Sequence, residues 1–238
     1  MNLLIKPSEM LILAGGFGTR LRSVVSNVPK PMAPIAGRPF LEYLLDYWIS
    51  QGIRRFVLSS GYLGHVIQAH FGNSYRSAVI DYVHEQSPLG TGGALRLALN
   101  ETPWANEMAL MANGDTWFPV DLTQMCCEAS QQKVPITLAL KTMKQNDRYG
   151  GVEVGANGKI TSFGIKSEGV TLINAGCYLF DVATLRQALA DMPEAFSFEN
   201  DFLVVYAANG HVGSSIQDQP FLDIGIPEDY QKTLDLLK

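Results

Sequence analysis

Cysteine is scarce in this chain of 238 residues: Cys126 and Cys127 are adjacent and Cys177 stands alone. That arrangement is no disulfide framework, and no C-x-x-C or H-E-x-x-H spacing exists to hold zinc. Buried thiols in a reducing compartment are the expectation. Charge is also thin. Asp, Glu, Lys and Arg make up 17% of the residues, against roughly 25% in an average soluble protein, which leaves low-charge surface for a homo-oligomer contact. A formal net charge of −5 argues against a broad nucleic-acid or anionic-membrane surface. No apolar run approaches the ~20 residues of a membrane span, and residues 1–10 carry no signal-peptide pattern. A cytoplasmic protein without nucleic-acid or membrane partners is expected. Two phosphate-binding fingerprints are missing as well. Gly16-x-Gly18 would need a third glycine where Leu21 stands, and no G-x-x-x-x-G-K-[ST] occurs.

The chain does hold one dense stretch, Leu11 to Pro34, reading LILAGGFGTRLRSVVSNVPKPMAP. The apolar run Met10-Leu11-Ile12-Leu13 reads as a buried strand. It stops at Ala14-Gly15-Gly16-Phe17-Gly18-Thr19-Arg20. Glycines there let the backbone turn tightly and aim several N–H groups at one spot, which suits an anion and phosphate above all. Arg20 adds a planar positive charge and Lys30 a mobile one. Pro29, Pro31 and Pro34 stiffen the chain around Lys30, so less entropy is lost when the lysine is held at a ligand. Together these groups suit a triphosphate. The glycines alone read equally well as a plain strand-to-helix turn.

Apolar spacing predicts helices over 38–51, 62–71, 91–100 and 122–132, alternating with strands at 56–58, 78–84, 108–111 and 136–141. This gives β-α-β-α units, hence an α/β fold: a mostly parallel, Rossmann-like sheet with helices on both faces. Past Asn146 the pattern predicts a hairpin (150–154 and 159–165) and strands at 171–180, 211–216 and 221–224. Helices are expected over 182–192, 198–208 and 227–237. No repeat or linker divides the chain, so one domain over 1–238 is expected, its second half extending the sheet as a lid. The glycine loop, Glu85 and Asp115 each follow a strand directly and so share a crevice at the carboxyl ends. Asp115 and Asp223 each end an apolar run, where a carboxylate serves either as a hard oxygen ligand for Mg²⁺ or as a helix cap. The four histidines read as surface or structural groups.

G-G-x-G-T-R-L followed by P-K-P-M-x-P-I resembles the opening of the sugar-phosphate nucleotidyltransferases, and the resemblance runs through nearly the whole chain. Those enzymes join a nucleoside triphosphate to a sugar 1-phosphate and release pyrophosphate. The resemblance implies the nucleotide-diphospho-sugar transferase fold, with a nucleotide half over 1–145 and a sugar-phosphate half over 146–238. Arg20 and Lys30 are implied as catalytic. Leu13, Ala14, Gly15, Gly16, Gly18 and Thr19 are implied as the triphosphate loop. Glu85, Pro88, Gly90 and Thr91, within HEQSPLGTGG, match the segment holding base and ribose, with Gly114 beside them. Asp115 and Asp223 match the Mg²⁺ carboxylates. Tyr149, Gly150, Lys166, Asn174 and Gly176 match the sugar-phosphate side. The segment Phe163-Gly164-Ile165-Lys166 lacks the family's acid beside the lysine, so either Glu199 or Glu168 substitutes or the sugar differs.

Within that family, DRYGGVEV, LINAGCYLF, FSFENDFL and DIGIPEDY look like heptose 1-phosphate guanylyltransferases. GTP and D-glycero-α-D-manno-heptose 1-phosphate are therefore the implied substrates, for surface polysaccharide precursors. Mannose 1-phosphate with GTP, a uridylyl or thymidylyl transfer, and a non-catalytic nucleotide-sugar sensor are the alternatives. Chemistry supports the base: guanine presents two adjacent donors, and the Glu85 carboxylate can accept both in a charge-assisted pair. A solvated glutamate at a strand end is the plain alternative. No general base is needed, because the attacking phosphate is already ionised.

Overall fold

The structure is a computed structural model describing residues 6–16, 28–144, 148–165 and 169–236. The chain begins with β1 (Glu9–Leu13), a 3-10 turn at Lys30–Met32, and a short hairpin of β2 (Pro34–Ile35) and β3 (Arg38–Pro39). Next come α1 (Phe40–Ser50), β4 (Arg55–Ser60), α2 (Gly64–Phe71), β5 (Ser74–Tyr75), β6 (Ala78–His84) and α3 (Gly90–Glu101). β7 (Met108–Asn113), β8 (Thr116–Trp117), α4 (Leu122–Gln132) and β9 (Ile136–Lys144) follow. The rest comprises β10 (Gly151–Val154), β11 (Ile160–Ile165), β12 (Val170–Asp181) and α5 (Val182–Ala188). A π-helical segment, Phe198–Leu203, then runs into α6 (Val204–Ala208), before β13 (Val212–Gln217), β14 (Leu222–Asp223) and α7 (Pro227–Leu236).

β1 sits between β7 and β4, parallel to both, and β6 extends the parallel set. Met10 and Ile12 enter one apolar cluster with α1, α2 and α4, while Leu11 enters a second with α3, α5 and the π-helical segment. Burial on both faces is why β1 reads as a continuous apolar run. From β1 the chain moves through α1 to β4. After β6 it crosses on the opposite face through α3 to β7, on the other side of β1. That reversal opens a crevice at the carboxyl end of β1. The second half continues the same sheet: β12 runs antiparallel to β7, pairing Cys177–Asp181 with Met108–Ala112. β9 lies beside β12, with β13 parallel to β9.

The sheet and helices match the expected α/β class, with local differences. The helix expected from 38 starts at Phe40, because Pro39 keeps Arg38 extended and both join the hairpin. α2 begins only after Leu63, which takes a left-handed turn at φ 57°. The helix expected to reach 192 stops at Ala188: the chain tightens into Ala190-to-Gln187 and Met192-to-Leu189 turns before Pro193. The segment from Phe198 is not one α-helix but π-helical before it becomes α. Cys126 and Cys177 are buried, and burial pushes their thiols up to about 11 and about 12 respectively. Cys127 is exposed, contrary to expectation, because the next residue on a helix turns away from the face that buries Cys126.

Candidate active site

Loops leaving β1, β4, β6 and β7 converge on a cavity of about 600 Å³. Leu13, Gly15 and Gly16 form its floor on the β1 side. A Cβ on Gly15 would lie 2.5 Å from Glu85 Oε1, so glycine lets that carboxylate approach the loop. Glu85 is anchored: its Oε1 accepts from the Ser59 hydroxyl at 3.2 Å and its Oε2 from the Leu89 N–H at 3.2 Å. Each carboxylate oxygen keeps a further lone pair for a ligand. Gly90 and Thr91 open α3 along the same wall. Gly90 has φ +71°, and a Cβ there would meet the Phe196 carbonyl oxygen at 2.5 Å. The glycines of α3 thus admit the 194–196 segment against the helix, where Gly92 N–H donates to that carbonyl and Phe196 N–H to Leu89 O.

A second cavity of about 370 Å³ adjoins the first, and both are lined by Gly16, Asn113 and Asp115. Here Lys30 meets two carboxylates, donating to Asp115 Oδ2 at 2.5 Å and Asp223 Oδ1 at 3.3 Å. The local fold explains the meeting. β14 pairs with β8 so that Asp223 lies opposite Thr116, and Ile224 N–H donates to the Asp115 carbonyl. A Cβ on Gly225 would collide with the Lys30 ammonium in this position, so the glycine leaves the lysine room to reach both carboxylates. Two carboxylates against one ammonium leave one negative charge uncompensated. Among the described residues no group of three or more His, Cys, Asp or Glu could hold a metal alone. Two carboxylates completed by substrate oxygens are the usual protein share of a Mg²⁺ site, so the donor set fits that ion.

Tyr149, Asn174 and Gly176 line the smaller cavity. Tyr149 stands edge-on to Phe221, and burial first, then Asp223, Asp229 and Asp115, push its phenol up to about 12. Gly176 has φ +70°, and a Cβ would press into the Asn113 amide, so this turn of β12 closes directly over the β7 end.

Of the residues singled out in the sequence, Pro88 also lines the larger cavity. Ala14 and Gly114 sit behind it, their amides committed to Ser59 O and Leu13 O. Gly150 packs beside Gly164. Glu199 lines neither cavity; its carboxylate is held by Thr91, Ser197 and Tyr178. Gly18, Thr19, Arg20, Lys166 and Glu168 lie outside the described residues. No histidine among the described residues lines either cavity. Sequence reasoning passed over Tyr62 in the larger cavity, and Thr116 and Phe221 in the smaller. Thr116 and Phe221 flank the two aspartates, a usable clue; Tyr62 offered none. No helix among the described residues is long and apolar enough to cross a membrane.

A family model described as nucleotidyl transferase matches residues 9–237. The chain belongs to the nucleotidyl transferase family. It is 44% identical over 227 residues to the D-glycero-alpha-D-manno-heptose 1-phosphate guanylyltransferase of Aneurinibacillus thermoaerophilus, covering 94% of this chain and 96% of that protein. It is 39% identical over 225 residues to the enzyme of the same name from Campylobacter jejuni subsp. jejuni serotype O:2, covering 93% and 96%. Among solved structures, HddC from Yersinia pseudotuberculosis complexed with GMP-PN matches with a TM-score of 0.81 at 32% identity, over 98% of this chain and all of that one.

Proposed function

We propose that this protein transfers a guanylyl group from GTP to D-glycero-α-D-manno-heptose 1-phosphate, in the cytoplasm, for surface polysaccharide precursors. The observation that carries the reading is the junction of the two cavities at Asp115, beside Lys30 and Asp223. The larger cavity takes the nucleoside and the smaller the sugar phosphate. A phosphate oxygen of the sugar phosphate attacks the α-phosphorus in line. The bond from that phosphorus to the β-phosphate's bridging oxygen breaks, and pyrophosphate leaves. Both reactants are anions, so the site must hold like charges together and stabilise the charge gathering on the leaving group.

Lys30 supplies one positive charge against these anions and Arg20 a second, with Gly18 and Thr19 serving the triphosphate. Asp115 and Asp223 would hold Mg²⁺, which would neutralise phosphate charge. Glu85 accepts the two adjacent donors of guanine; a uracil or thymine would set carbonyls against the same carboxylate. Tyr149, Gly150, Asn174 and Gly176 serve the sugar phosphate, with Lys166 as a further partner. The relatives named for heptose 1-phosphate guanylyl transfer, at 44% and 39% identity, support the choice of both substrates.

The test is pyrophosphate release with GTP, UTP or dTTP, Mg²⁺, and a panel of sugar 1-phosphates. Turnover that is fastest with GTP and the heptose is expected. Faster turnover with another pair replaces the substrate assignment, and no turnover with any pair removes the enzyme reading.

A further inference from the structure

The smaller cavity's Asn174 is held from behind by a part-buried polar chain that runs through the buried Tyr178 and ends in the wall of the larger cavity. Asn174 Nδ2 donates to the Tyr178 hydroxyl at 2.9 Å, and that hydroxyl donates to Glu199 Oε1 at 2.9 Å. Glu199 Oε2 accepts from the Thr91 hydroxyl at 2.6 Å and from the Ser197 hydroxyl at 3.2 Å. The Thr91 oxygen in turn accepts the Phe198 N–H at 2.9 Å.

The donor directions follow from chemistry. Tyr178 is buried, and desolvation followed by the Glu199 charge drives its phenol well above the ordinary value, so it keeps its proton. A protonated phenol beside a carboxylate donates to it, and its lone pair is left for the Asn174 amide. That turns Asn174 Oδ1 the other way, onto the Gly176 N–H at 3.0 Å. Both sides of the amide are therefore oriented by protein groups.

Two backbone irregularities bring the chain of bonds together. The β12–β9 pairing slips between Asn174 and Tyr178. Bulges of this kind re-aim side chains, often next to active sites. Glu199 lies on the π-helical segment, another irregularity found at functional sites. A glutamate whose oxygens serve Tyr178, Thr91 and Ser197 is poorly placed to grip a sugar itself.

We propose that Glu199 and Tyr178 are positioning residues: through them Asn174 is held for the sugar phosphate, and through Thr91 that setting is tied to the nucleotide wall. The proposal rests on the assignment of the two cavities above. Wild-type turnover across the sugar panel tests that assignment alone. The variants then test the positioning role with whichever sugar 1-phosphate turns over best.

Tyr178→Phe is expected to raise KM for the sugar 1-phosphate about tenfold while KM for GTP stays within about twofold. Glu199→Ala, which also releases Thr91, is expected to raise both. Glu199→Gln should recover most of the loss, because its amide offers an acceptor to Tyr178 and a donor to Thr91. In an Asn174→Ala background, Tyr178→Phe should add little, since its target is already gone. If nothing turns over, calorimetric binding of the heptose 1-phosphate reads the same shifts, and absence of binding to the wild type overturns the proposal. It is equally overturned if Tyr178→Phe lowers the melting temperature with both KM values unmoved, or if its effect adds in full to that of Asn174→Ala.

Discussion

The two cavities are built by opposite strategies. The larger is lined by glycines and loop residues at the ends of parallel strands, all drawn from 13 to 115 in sequence. The smaller is walled by side chains from both halves, including Lys30, Asp115, Tyr149, Asn174 and Asp223. On the proposed reading the larger cavity takes a flat base and a ribose largely by shape, with the anchored carboxylates of Glu85 and Asp115 in its wall. A wall of charged side chains handles phosphates, where the work is neutralisation. The first is robust to side-chain loss and sensitive to added bulk. The second tolerates bulk poorly too, but fails first when a charge is removed.

The sharpest break in that contrast is Lys30→Ala. Turnover is expected to fall by ~10² or more if the ammonium stabilises transition-state charge. The melting temperature should change little when Mg²⁺ is present, because the lysine contributes little to either apolar cluster. Steady-state kcat and a thermal melt read both; near-normal kcat removes Lys30 from the catalytic set. Next in size, Asp115→Asn should raise the Mg²⁺ needed for half-maximal rate by about tenfold or more, since a neutral amide is a poor ligand for a hard cation. Chelator should abolish wild-type activity and Mg²⁺ restore it. Catalysis that resists the chelator would sink the metal assignment.

The larger cavity responds more mildly. Glu85→Gln should shrink the GTP-over-UTP ratio of kcat/KM by roughly 5- to 150-fold, matching the ~1–3 kcal/mol of a bidentate base contact. A ratio that does not move takes base reading away from Glu85. Smallest is Gly90→Ala, which places a Cβ 2.5 Å from the Phe196 carbonyl at φ +71°. A stability loss of about 1–3 kcal/mol is expected from strain and crowding together, read as a lower denaturant midpoint at constant slope. An unchanged midpoint means that the 194–196 segment gives way freely.

The same contrast governs what could be read from the sequence. The larger cavity's parts are contiguous: AGG after an apolar run and EQSPLGTGG after a strand carry their own local logic. Asp115 and Asp223 were legible as carboxylates ending strands. Their convergence on one lysine was not, since it depends on the two-residue pairing of β14 with β8 and on a contact between Lys30 and Asp223 spanning 193 positions. Glu199 was legible as an acid in need of a role. Its bonds to Thr91, 108 positions away, and to Tyr178 depend on the π-helical turn, and apolar spacing cannot separate that turn from an ordinary helix. Helix ends were misplaced at Pro39 and Pro193, whose steric effect on the preceding residue was available but outweighed by apolar spacing.

The two cavities share Gly16, Asn113 and Asp115 among their described lining residues, so on the proposed reading their occupants meet beside those residues. Joining those occupants makes one molecule that straddles both cavities. Such a molecule keeps both grips while losing translational and rotational freedom only once, and the advantage appears as a high effective concentration of each half for its own cavity. On that reading the joined product is therefore held more tightly than either half alone. On the same reading, product that accumulates competes with new substrate for both cavities at once.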